Sequence, residues 1–412
     1  MALVTELDLP VIDLASAEYE ADPYGTFAAA RDRSWIARVG NGYGVLTHAD
    51  AKAIFRHPDF RVSFNYVDRR YSEYLYQRSQ SGLMNMAGED HARLRSIASR
   101  ALRSRFLDTL RAPMGEIIDG LLDQALEHEV LDLVAEVINP YPALVMAPIL
   151  GVPFSDIPEI DRWASDSVAI FDITRIAKQA PRIEAAARGL DEFVRELVDD
   201  RRRNLGADVV SELIRAQEDA EKMSEGQLVM LAASLIPAAL DTTRGQLGFT
   251  LESFARSPEQ WAKLVANPDL AEKAVEEGLR YAPTVSGIPH AAVRYTSHNG
   301  VEFPAGTAVA IYPRSANRDP AVFADPDLFD IERDQSTQYT FGFGAHACLG
   351  APVARIEMVE ALRAMARRVA SIELVGEVAH QPMSSNGNRL SLPVRITKAQ
   401  APVGGGNGPC TR

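Results

Sequence analysis

The chain has 412 residues, 46% of them hydrophobic and 24% charged, with 43 Lys and Arg against 56 Asp and Glu for a net charge of −13. That composition belongs to a soluble globular chain with a large core, and its negative charge argues against general affinity for nucleic acid. Two cysteines cannot build a disulfide framework, which points to a reducing, cytoplasmic setting.

The opening residues, "MALVTELDLPVIDLASAEYEADPYG", are acidic and hold no apolar run of the kind a signal peptide or membrane anchor needs, so residues 1–22 read as an N-terminal extension. "SWIARVGNGYGVLT" predicts a hairpin turning at Asn41-Gly42. Apolar residues recur at helical spacing from His91 to His128, and Pro113 is expected to divide that stretch into two helices. Two more long helices are predicted, over residues 181–203 and 224–257, the second with Ser224 as its N-cap. Inside the second, Pro237 removes a backbone donor and crowds the Ala233 carbonyl, which predicts a kink. Alternation, with turns at Asn299-Gly300 and Pro304-Ala305-Gly306, predicts a small sheet over residues 290–313. Residues 313–344 are rich in Pro, Asp and Asn and read as a long ordered coil, followed by a helix from Ala351. The end, "APVGGGNGPCTR", reads as a flexible tail over residues 399–412 in which Cys410 is a bystander. With no repeat and no dividing linker, the expectation is one large domain over residues 23–398, mainly α with small β-sheets.

"FGFGAHACLG", Phe341 to Gly350, sets the remaining cysteine in a glycine-rich loop at a helix start. Three roles are open to Cys348: a packed thiol, a nucleophile with His346 as its base, or a metal ligand whose thiolate the helix N-terminus favours. Zinc needs several more Cys, His or Asp ligands, and no such cluster lies nearby in the sequence. Haem iron needs only one thiolate, since the porphyrin supplies the in-plane ligands, and glycines let a loop lie against a flat macrocycle.

Phe341, Gly344, His346, Cys348 and Gly350 match the cysteine-loop signature of the cytochrome P450 family, F-x-x-G-x-[HR]-x-C-x-G, and the chain resembles that family from about Tyr24 to Thr397. The resemblance implies a P450 fold with haem b between a long oxygen-side helix and the helix after the cysteine loop. It implies that Cys348 is the axial thiolate, that Phe341 shields it and that His346 reaches a haem propionate. Ala238, Asp241 and Thr242 share one helix face in "AALDTT", which alone reads equally as a polar patch near a bend. The stretch is similar to the family's [AG]-G-x-[DE]-T motif, with Ala239 where glycine is common, and that implies proton delivery by Asp241 and Thr242. Glu277 and Arg280 in "VEEGLRYAP", with Arg333 in "FDIER", match the family's E-x-x-R cluster, whose role is structural. "HARLR" matches H-x-x-x-R and implies that His91 and Arg95 face the propionates, although "AGEDH" replaces the usual wording before it. His290 stands where the family often has a propionate arginine. It implies either a weaker contact raised in pKa by a neighbouring carboxylate, or a packed sheet residue.

The function implied is a haem-dependent monooxygenase that oxidises, typically hydroxylates, a small organic molecule with dioxygen and two electrons. Specialised-metabolite tailoring is the family-level expectation. The chain has no flavin or nicotinamide domain, so a ferredoxin and a ferredoxin reductase are expected as separate donors to a monomer without membrane or nucleic-acid partners. Arg93, Arg100, Arg103, Arg105 and Arg355 would form a basic face for an acidic ferredoxin, or equally a solvated helix surface. A peroxide-driven oxidase and a non-catalytic haem or ligand binder are the rivals, and Asp241 and Thr242 argue against both. Pocket walls are expected at 64–86, 170–176, 235–241, 284–288 and 384–388. The five aromatics and the arginines of the first wall predict an amphipathic or partly anionic substrate.

Overall fold

The computed structural model describes residues 1–64, 67–102, 104–171, 176–220, 223–334, 337–384 and 386–399. Its principal helices are α1 Glu73–Ser81, α2 Gly88–Ala101, α3 Ser104–Ala125, α4 Ile157–Val168, α5 Ile176–Arg203, α6 Val209–Ala220, α7 Glu225–Arg256, α8 Ala271–Tyr281 and α9 Ala351–Arg368. Helix α7 is the axis of the molecule. It begins at the expected cap: the Ser224 hydroxyl accepts the Gln227 N–H, and the Gln227 side chain accepts the Ser224 N–H. Helices α4, α5 and α8 pack around α7, and α3 and α8 pack on α9. Among the described residues α7 is the one helix long and apolar enough to cross a membrane; here it is the core helix, with Leu247, Leu251 and Phe254 fully buried.

The stretch expected to break at Pro113 breaks earlier. Helix α2 ends at Leu102, whose φ of −99° and ψ of 38° leave the helical region, while α3 runs through Pro113 without interruption. The reason lies in its apolar stripe: Phe106, Leu110, Met114, Ile118 and Leu122 recur every four residues and all are buried. At roughly 1.5–3 kcal/mol per buried side chain, the stripe outweighs the ~3 kcal/mol of an interior proline. Pro237 lies inside α7, which is continuous over its 32 residues. Around it, Ser234 and Thr242 donate back to the Met230 and Ala238 carbonyls at 2.6 and 2.9 Å.

Strands are short and pair across the chain. One sheet has the order β2-β3-β4-β10-β7-β5, built from Val11–Ile12, Ile36–Val39, Gly42–Val45, Ala308–Ile311, Ile288–Ala292 and Phe60–Val62. A second, β1-β9-β8, joins Ala2–Leu3, Val301–Phe303 and Thr296–His298. The third, β11-β14-β6, joins Val369–Leu374, Pro393–Lys398 and Val130–Asp132, and Ala379–His380 pairs with Arg389–Ser391 as β12-β13. The one small sheet expected over 290–313 is therefore divided between two sheets. Its Asn299-Gly300 turn is as expected, with φ of 47° and 79°. The β3–β4 hairpin turns one residue earlier than expected: Val39 faces Gly42, so the loop is Gly40-Asn41, and Gly40 takes the positive φ of 53°. Residues 1–22 are woven in, since β1 pairs with β9, β2 pairs with β3, and Tyr19 is fully buried. The tail from residue 400, with Cys410, lies outside the described residues.

Candidate active site

The cysteine loop is folded back on itself by its own backbone. Gly342 and Gly344 adopt φ of +67° and +77°, values that a Cβ disfavours. The Gly342 N–H donates to the Tyr339 carbonyl at 2.8 Å, and the Cys348 N–H donates to the Phe341 carbonyl at 2.7 Å. Helix α9 then starts, with Pro352 in its first turn where a missing N–H is harmless. The backbone N–H groups of Gly350 and Ala351, at the start of α9, favour the thiolate form of Cys348. Cys348 is exposed, yet the loop crowds its base. Burial raises the thiol pKa, while the two N–H groups, Arg95 and Arg355 pull it down. The Arg355 guanidinium lies 4.7 Å from the Phe341 ring centre, so the aromatic lid over the loop is itself held from outside.

Helix α2 brings its polar face against this loop. Arg95 donates to the Ala347 carbonyl. The His91 and His346 rings stack with centres 4.1 Å apart and planes 23° apart. Burial, then His91, Arg95 and His290, push His346 down to about 4, and burial followed by Arg95 lowers His91. His91 Nε2 is buried without a protein partner among the described residues. Sheet residue His290 is buried, its ring edge-on to Phe55 at 5.6 Å and its Nδ1 3.1 Å from the Ile288 carbonyl. A carbonyl only accepts, so Nδ1 carries the proton, and Nε2 is a donor only in the charged form. Among the described residues no carboxylate raises this group; burial pushes it down to about 4. The cluster fits a dianionic, flat partner such as haem, since it offers a thiol, the Arg95 guanidinium and the His91 and His346 rings, and among the described residues none of these three side chains has a carboxylate partner.

Asp241 and Thr242 sit on α7. The Thr242 hydroxyl donates to the Ala238 carbonyl, which leaves its lone pairs for a donor in the cavity. Asp241 accepts from Asn388 Nδ2 at 2.9 Å. Burial raises its pKa, against Arg244 and the side-chain amides of Asn386 and Asn388. Arg244 is itself committed, to the Asn139 carbonyl at 2.9 Å and to Asp161 at 2.8 Å.

The Glu277–Arg280–Arg333 cluster is assembled. Arg280 forks onto both Glu277 oxygens at 2.7 Å, and Arg333 Nε lies 3.4 Å from Oε1. The expected basic face is partly neutralised: Arg93 pairs with Asp90, Arg355 pairs with Glu276, and Arg103 lies outside the described residues. Of the expected walls, Phe64 and Phe171 meet edge-on at 6.0 Å, while 65–66, 172–175 and 385 lie outside the described residues. Asn388 lies in an expected wall, and its bond to Asp241 is not legible in the sequence, because the partners are 147 residues apart and no local spacing records such a contact.

Residues 43–370 match the family model described as Cytochrome P450. The chain is 33% identical over 384 residues to the nocardicin C N-oxygenase of Nocardia uniformis subsp. tsuyamanensis, covering 91% of this chain and 95% of that one. It is 30% identical over 404 residues to the luteothin monooxygenase of Streptomyces thioluteus, covering 95% and 97%. A solved cytochrome P450 with epothilone D bound superposes with a TM-score of 0.86 at 28% identity, over 94% of this chain and 99% of that one.

Proposed function

This chain belongs to the cytochrome P450 family and is a haem-thiolate monooxygenase, and from that premise we propose that it hydroxylates a small specialised metabolite, with Cys348 as the iron's ligand and Asp241 and Thr242 as its proton relay. The observation that carries the proposal is the gathering of His91, Arg95 and His346 around the Cys348 loop, together with a half-buried acid and alcohol on adjacent positions of α7. The cofactor proposed is haem b, its propionates met by His91, Arg95 and His346, with Phe341 shielding the sulfur and Gly350 holding it. His290 would join only when protonated. Bound haem supplies activation of dioxygen, favoured by an electron-rich thiolate.

The chain's own residues set the proton supply. Insertion of one oxygen atom into a C–H bond, with the other released as water, consumes two protons and two electrons. Asp241, raised by burial, holds a proton nearer to neutral pH than an exposed carboxyl does. Thr242, its own hydrogen committed to the Ala238 carbonyl, accepts from and so orients the water that carries that proton. Electrons are proposed to come from a ferredoxin and its reductase, in the cytoplasm, to a monomer.

The test has two stages. A compound library is first screened for shifts of the haem absorption band, and hits are then turned over with ferredoxin and reductase or with peroxide alone. Product is expected with the redox pair, and Thr242→Ala should keep ligand binding while its product per reduced nicotinamide falls by ~10-fold or more. Cys348→Ser should lose the thiolate-type spectrum of the ferrous carbon monoxide complex. Equal product from peroxide alone, or an unchanged yield in Thr242→Ala, would overturn the relay.

A further inference from the structure

The relay acid does not stand alone against the protein. Asn388, on the segment before β13, reaches Asp241 with its amide: Nδ2 donates to Asp241 Oδ1 at 2.9 Å, and its own Oδ1 accepts from the Thr284 hydroxyl at 3.2 Å. Asn388 and Thr284 are both buried. Each end of the amide thus has one fitting partner, and a flip would set its oxygen against the carboxyl. The helix makes room for this contact. Gly245 lies one turn beyond Asp241 on the same face, and a Cβ there would overlap both Asn388 Oδ1 and Thr284 Oγ1.

The shell behind the amide is closed. The Thr284 N–H donates to Gln246 Oε1 at 3.1 Å, and Gln246 Nε2 donates to the Gly278 and Ala282 carbonyls at 3.1 Å each. Fully buried Arg314 ties the same segment from the other side, through the Thr284 and Asn386 carbonyls at 3.2 and 3.1 Å. We propose that Asn388 is a positioning residue for proton delivery: it holds Asp241 by Oδ1 and joins the acid to the walls of the substrate pocket at 284–288 and 386–388. The Asn386 amide also bears on the carboxyl. This rests on the reading of Asp241 as relay acid. An amide without charge at this point holds the carboxyl in place without a salt bridge that would keep it ionised. The charged group facing Asp241 is Arg244 on the same helix, bound to Asp161, while Arg389 of β13 is committed to Glu252.

The test uses the haem-loaded full chain without substrate. Infrared difference spectra against pH follow the protonated carboxyl band that disappears in Asp241→Asn, which identifies it. Asn388→Leu keeps the shape and removes the donor, so the midpoint should rise by about one pH unit. Asn388→Asp should raise it further, and Thr284→Val, which frees the amide, should move it in the same direction by less. The pH profile of nicotinamide-driven peroxide release, with a surrogate ferredoxin and reductase, should shift with the midpoint. If Asp241→Asn leaves peroxide release unchanged at every pH, the relay reading fails, and this inference with it. If Asp241→Asn changes it but Asn388→Leu and Thr284→Val leave midpoint and profile where they were, Asn388 only packs and the inference alone is overturned. Should Asn388→Leu not fold, Thr284→Val decides by the same two readouts.

Discussion

Glu357 is buried on the inner side of α9, and its Oε1 has no protein partner among the described residues. Burial pushes its pKa up to about 8, with Arg244 opposing. In the unfolded chain the same carboxyl ionises near 4.5, so between about 4.5 and 8 the folded state keeps a proton that the unfolded state has released. Stability therefore falls with rising pH across that window, by on the order of 1.4 kcal/mol per pH unit, and is level outside it. Glu357→Gln removes the penalty while keeping the shape. Calorimetry should find it melting roughly 5 °C or more above the parent at pH 7.5, with the gap closing towards pH 4.5. Equal pH slopes for the two proteins would show that Glu357 is ionised as the protein folds. Residues of this kind mark where sequence reading stops. His91, Arg95, His346 and Cys348 were legible because each lies inside a short motif, and the structure does bring them to one place. Glu357 and Asn388 carry their properties through burial and remote partners, which no local spacing expresses.

Elements were legible where a period is long enough to count. The cap at Ser224 and the helices expected over 181–203 and 224–257 follow from residues within one or two turns, although the first begins earlier, at Ile176, and takes Pro181 into its interior. Strands of two residues, such as β1, β2 and β12, have no period at all and exist only because a distant partner is in register. Pro113 shows a local rule overridden by packing, and the override can be measured. Pro113→Ala would restore a helical N–H inside α3, so the protein should gain roughly 1 kcal/mol or more, seen as a higher denaturant midpoint with an unchanged slope. Were Pro113 a boundary between two helices, the same change would be neutral or harmful.

At the scale of the whole molecule, the coil before the cysteine loop hangs on two guanidinium groups. Arg280 holds the Asn317, Pro326 and Leu328 carbonyls at 3.2, 2.8 and 3.0 Å, while Arg333 holds those of Ala324, Asp325 and Leu328. The cluster was legible as a motif, but the carbonyls it collects were not, since they belong to a coil with no period. Arg280→Leu would leave the Glu277 charge buried and without its main partner, at a cost of about 3–5 kcal/mol. The variant should retain less haem, read as a smaller ferrous carbon monoxide signal per mole of protein, and Arg333→Lys should lose less of it. The sheets carry a different consequence. β4 and β10 pair in parallel although more than 260 residues separate them in the chain. A ribosome adding roughly 5–20 residues per second needs roughly 13–50 s to deliver β10 after β4 has emerged. Throughout that interval the β3–β4 hairpin has a bare edge and no neighbour of its own to cover it. Vectorial synthesis thus makes the first tenth of the polypeptide wait for the last third, and whatever shields that edge in the meantime, a chaperone or slow collapse of the intervening helices, sets how much of each newly made chain survives to take up its cofactor.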